Sequence, residues 1–178
     1  DITIGAVTGA TFNLAFETGA GVANADVTGA SVANVGSLTV TNMGGTATFS
    51  GAITANSISL DNTVVNVALT GNGNTVDGGF TPDNTGTLIL GAAGGTQTYN
   101  NGINTTGVDG VVTLNGTIAT SGDVVNMGAI TLGSNTSIDT TAGPTPAGNN
   151  LTVGAVTGNA FDLGLNAGTG GTLTTGVL

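Results

Sequence analysis

The chain has 178 residues and contains no Lys, Arg, His, Cys or Trp, while ten acidic residues give a net charge of −10. Without cations it cannot displace counterions from phosphates or be drawn to anionic lipid, so nucleic acid is excluded as a partner, and no apolar run approaches 18 residues, so no direct membrane insertion by a helix is expected. Without Cys there is no disulfide framework and no thiolate metal site. Hydrophobic residues still make up 39%, which is too apolar for a disordered chain. Only five Phe and one Tyr accompany 33 Gly. The expected core is therefore thin and aliphatic, without the large rings that centre a globular domain.

Short alternating boxes recur along the chain. In order they are DITI at 1–4, SLTV at 37–40, SISL at 57–60, TLIL at 87–90, VVTL at 111–114, AITL at 129–132, NLTV at 150–153 and TLTT at 172–175. In each, the second residue is aliphatic, and so is the fourth in all but the last, the period of a strand with one buried face. Most steps between box starts lie close to 20, and the first, from position 1 to position 37, is the longest. That first step leaves room for one more coil around ANADVTGASV. The interval from Ile58 to Leu88 holds Pro82 and the polar run GNGNTVDGGFTPDNTG, and reads as a loop thrown out from one coil. Gly- and Asn-rich punctuation between boxes suits sharp corners.

A strand period near 20 predicts an all-β fold, a parallel β-helix (β-solenoid) with coils of about 20 residues. Eight coils at the spacing of neighbouring strands make a rod about 40 Å long. The alternative is a row of tandem β-sandwich domains, in which Asn115-Gly116 and Asp109-Gly110 would close hairpins. A longer period lies over the short one. Residues 2–21 (ITIGAVTGATFNLAFETGAG) and 151–170 (LTVGAVTGNAFDLGLNAGTG) share ten of twenty residues without a gap. The chain thus divides into one solenoid block of about seven coils, 1–149, and the start of a second, similar block, 150–178, continuous with the first.

Boxes of the form x-[ILV]-T-[LV] followed by Gly, Asn and Ala, as in SLTVTNMGGTATFSGAI, NLTVGAVTG and LGLNAGTGGTLTT, resemble the repeat regions of large secreted bacterial adhesins. These are the filamentous-haemagglutinin-like exoproteins and the passenger regions of autotransporters. The resemblance implies a right-handed parallel β-helix on a bacterial cell surface, outside the cell, serving in attachment or as a stalk. Such adhesins usually carry some Lys and Arg; their absence here leans the reading toward a structural fibre or surface layer.

Chemistry has few residues to draw on. Paired carboxylates are the one common hydrolytic machinery that this alphabet allows, and Asp77 and Asp83, which share the expected loop, are the best pair. With no His, Lys or Arg to tune a site, the plainer reading is that Asp caps turns. The chain is expected not to be an enzyme and to carry no cofactor. GNGNTVDGG at 71–79 faintly resembles a Gly/Asp calcium repeat, yet it occurs once, and calcium wants six to eight oxygens. Asp77 and Asp83 are thus weak metal candidates, and turn is the better assignment. Threonine pairs (Thr39/Thr41, Thr46/Thr48, Thr96/Thr98, Thr172/Thr174) suggest an ice-ordering face, but they do not recur at one position in every coil. The expected partner is another segment of the same kind, by end-to-end self-association or by continuation of the tandem repeats, because uncapped strand edges template further pairing. Surface glycans along an exposed Thr/Asn ladder are a second candidate partner.

Overall fold

The structure, a computed structural model, describes residues 1–143 and 147–178. Among them every named strand pairing is parallel and no helix occurs. This is a β-solenoid, and the parallel pairing excludes the sandwich alternative, whose sheets are antiparallel.

Three faces follow one another around each coil. On face A the inward column runs Ile2, Val27, Ala47, Val67, Leu88, Val112, Ile130, Val156. The steps along the chain are unequal, shortest from Val112 to Ile130 and longest from Ile130 to Val156, so the coils vary in length while their strands stay in register. Val27–Gly29, within ADVTGA, is the additional coil for which the long first step left room. Face B carries Val7, Val32 and Ile53, then Asn74 and Gln97, then Ile118, Ile138 and Leu165. Face C carries Leu14, Leu38 and Ile58, then Phe80, Ile103, Val125, Leu151 and Leu173. Length variation falls in the corners, where Gly and Asn bend the chain without disturbing the ladders.

The expected loop at 71–86 is a coil in its own right. Asn74–Val76 pairs with Gln97–Tyr99 on face B, and Phe80, Pro82 and Asn84 turn inward and are buried. Asp77 N–H donates to Ala55 O at 3.0 Å and Asp83 N–H to Leu60 O at 3.2 Å, so the run lies on the coil beneath it. Its polarity misleads because two inward positions are amides that serve the backbone. The Asn84 side-chain nitrogen donates to Val65 O, Gly86 O and Thr87 O at 3.1–3.2 Å, and Asn74 Oδ1 accepts from Ile53 N–H at 2.8 Å.

The core also departs from the ring-free expectation. Phe16, Phe49, Phe80 and Tyr99 are all buried. Phe16 and Phe49 meet with centroids 5.9 Å apart, and Phe80 and Tyr99 stack at 5.3 Å with planes 7° apart. The Tyr99 hydroxyl donates to Gln97 Oε1 at 2.6 Å, and Gln97 Nε2 donates to Leu69 O at 2.6 Å. Two inward polar side chains are thus satisfied through each other and through the backbone.

Burial raises the Tyr99 phenol pKa far above its usual value, which is about 10 in an open chain. A raised folded pKa leaves stability intact below the unfolded value and removes it as pH rises toward the folded one. Because the chain has no Lys, Arg, His or Cys, no other side chain titrates in that range. The melting temperature is expected to stay level through neutral pH and to fall above about pH 10. Tyr99→Phe should flatten that fall; an unchanged fall in the variant would place its origin elsewhere.

Candidate binding surfaces

Asp77 and Asp83 do not converge. Asp77 stands at the corner between faces B and C, where Oδ1 accepts from Asn100 Nδ2 at 2.9 Å. Asp83 lies at the far end of face C, beyond inward Phe80 and Pro82, and both carboxylates are exposed. Asp77 lines an open cleft with Thr11, Asn34, Thr54, Asn56 and Thr75, a cleft that does not include Asp83. Among the described residues no group of three or more His, Cys, Asp or Glu could hold a metal ion. The calcium-like stretch 71–79 directs its oxygens apart: Asn72 Oδ1 accepts from Thr96 N–H in the coil above, Asn74 Oδ1 from Ile53 N–H in the coil below.

The acids staple neighbouring elements instead. Asp1 accepts from Asp26 N–H at 3.0 Å, and Asp26 in turn from Thr46 N–H at 2.7 Å, each bond crossing one coil. Glu17 accepts from Asn42 Nδ2 at 2.7 Å and Asp139 from Asn166 Nδ2 at 3.1 Å, likewise across coils. Asp61 and Asp139 also take the N–H two residues on, at 3.0 and 2.7 Å, and Asp123 accepts from Ser121 Oγ at 2.9 Å. Asn66 and Asn150 act like the bridging acids, accepting from Thr87 and Thr172 N–H at 2.9 Å. A short side-chain acceptor at a corner satisfies a strand-start N–H that the ladder leaves over.

The regular surface feature is one that sequence spacing does not reveal. The central outward column of face A reads Thr3, Thr28, Thr48, Ala68, Ile89, Thr113, Thr131, Thr157. On face C, Thr39 stands beside Ser59, and Asn104, Asn126, Thr152 and Thr174 form one file. The threonine pairs of the sequence lie on three faces: Thr46/Thr48 on A, Thr96/Thr98 on B, Thr39/Thr41 and Thr172/Thr174 on C. The hydroxyls therefore stand in short files rather than one flat array, and the face-A file is broken by Ala68 and Ile89. Such a file offers hydrogen-bonding groups about 4.8 Å apart along the rod. No family model matches the chain, and neither a curated protein nor a solved structure does.

Proposed function

We propose that the chain is a structural, non-catalytic segment of an extracellular fibre or adhesin stalk on a bacterial surface, built of tandem β-solenoid blocks. The observation that carries this reading is the unbroken face-A column from Ile2 to Val156, a core that extends along the rod from coil to coil. The use of most carboxylates as bridges between coils and across turns supports it, as does the separation of Asp77 from Asp83. Electron microscopy of the native material is expected to show filaments, and polysaccharide substrates to remain uncut. Compact monodisperse particles would count against the fibre. Turnover that disappears in an Asp77→Asn, Asp83→Asn double variant would establish the competing reading, a polysaccharide-cleaving β-helix.

Surface glycans remain a second partner class on one observation, the Asn104–Asn126–Thr152–Thr174 file of face C. A glycan array in which Asn126→Ala loses binding would support it, and an array without signal would remove it.

A further inference from the structure

Residues 2–21 and 151–170 share local conformation as well as sequence. Ala10 and Thr11 have φ of 44° and 73°; their counterparts in the second stretch, Asn159 and Ala160, have 50° and 65°. Each pair closes a tight turn, with Phe12 N–H donating to Gly9 O and Phe161 N–H to Gly158 O, both at 2.8 Å. The bond from Val7 N–H to Ser31 O, 2.9 Å, recurs as Val156 N–H to Val177 O, 2.8 Å. Leu173 pairs with Leu151 as Val27 pairs with Ile2. Residues 151–178 thus repeat 2–32 in slightly shortened form.

The faces do not match. Ile2, Val7 and Leu14 lie on A, B and C. Their counterparts Leu151, Val156 and Leu163 lie on C, A and B. The long period therefore spans six coils and two faces, a third of a turn short of seven. A module of strand, corner and strand with aliphatic inward residues fits any side of the prism, since it contacts only the coil beneath and the coil above.

What covers the first module is residues 33–53. Asn34 O accepts from Thr11 N–H at 2.6 Å, and Gly36 N–H donates to Phe12 O at 3.0 Å. Position 36 has no room for a side chain, because a Cβ would stand 2.5 Å from Thr11 O and 2.7 Å from Asn13 Oδ1. The second module presents the same turn and the same strand edges, with Val177 79% and Leu178 72% exposed.

We propose that the open edge of residues 151–178 is the docking edge for a further block of this same sequence, whose residues 33–53 lie over it. Successive blocks are then related by a screw of six coils and two faces. The proposal rests on the tandem-block reading given under Proposed function. Three such steps make 20 coils, about 96 Å, and return the module to its starting face. Whatever a block displays on one face, the fibre displays on all three in turn.

Two extended chains test this. In the first, Leu178 is followed by residues 33–178, so that it takes the place of Val32 and the added block is turned by one face. In the second, Leu178 is followed by residues 28–178, so that it takes the place of Val27 and the faces stack unturned. The turned chain is expected to unfold in one cooperative urea transition. In it the amide of Ala160, the counterpart of Thr11, should exchange at least about tenfold more slowly than in the original chain, because Asn34 O of the added block accepts it. In the unturned chain the long corner at 158–162 meets the short corner at 30–31, and Ala160 should exchange as before. Equal or greater protection of Ala160 in the unturned chain overturns the screw, as does failure of the turned chain to protect it. The fibre reading fails separately, on the appearance of the native material, whichever extension is the more stable.

Discussion

Leu114→Asp is expected to abolish folding around the middle of the solenoid. Leu114 is fully buried on face A, paired with Leu90 in the coil below and Leu132 in the coil above. Truncation alone, Leu114→Ala, should cost about 2–5 kcal/mol through lost transfer energy and the cavity left behind. Aspartate adds the burial of a carboxyl group, and the chain has no Lys, Arg or His side chain that could pair with it. The carboxyl must then be buried protonated or drag water into the column. Either route takes a large share of the roughly 5–15 kcal/mol that stabilises a typical domain. Because coils contact only their neighbours, urea unfolding followed by circular dichroism should show a lost or split transition in Leu114→Asp and a shifted single transition in Leu114→Ala. An unchanged midpoint in Leu114→Asp would mean that the face-A column is not the core.

Gly102→Val should be strongly damaging at a corner. Gly102 has φ +85°, and a Cβ there would stand 2.5 Å from Val124 O. That carbonyl accepts the Ile103 N–H, and the Gly102 N–H itself donates to Tyr99 O in the turn, so neither backbone can retreat without losing a hydrogen bond. The left-handed conformation costs an L-residue roughly 1–2 kcal/mol, and a β-branched one more. With the clash added, a loss of about 3 kcal/mol corresponds to a melting temperature lower by about 6–12 °C in a chain of this size. Gly73 separates the two contributions. Its φ is +82° but nothing lies within 4 Å of the added Cβ, so Gly73→Ala should lose only the conformational part, about 1–2 kcal/mol. Equal losses at the two positions would show that the close approach to Val124 contributes nothing.

The solenoid was legible because each box keeps an aliphatic residue at its second position, and that position is inward in every one. The boxes do not mark one face, however. DITI, TLIL, VVTL and AITL lie on face A, whereas SLTV, SISL, NLTV and TLTT lie on face C. The distances between successive boxes therefore mix whole coils with parts of coils. Face B is harder to read, because inward amides Asn74 and Gln97 interrupt its aliphatic column. These amides are recognisable as core only through their bonds to Ile53 N–H, Leu69 O and the Tyr99 hydroxyl. The same polarity disguised coil 71–86 as a loop. Ring pairing was equally hidden, since Phe16 and Phe49, or Phe80 and Tyr99, become neighbours only when corner lengths are known.

The surface is less legible still. A file such as Thr3, Thr28, Thr48 advances along the chain by unequal steps, and no fixed period finds it. That Asp77 and Asp83 stand apart, Asp77 beside Asn100 and Asp83 at the far end of face C, follows from corner geometry, which residue type does not encode. Asx oxygens that bridge coils look in sequence like any polar corner residue. Their partners lie a whole coil away and are named by coil length alone.

The hydrogen bonds of all three ladders run lengthwise, from one coil to the next. Tension applied evenly to the two ends of the rod loads every bond between a pair of coils in parallel, so that layer must fail as a whole. Tension applied to a single strand end opens the same bonds one after another, as a zip. A tether that grips a whole terminal coil is therefore far stronger than one that holds the chain by its last residue, and the strength of such a thread is set by how its ends are held.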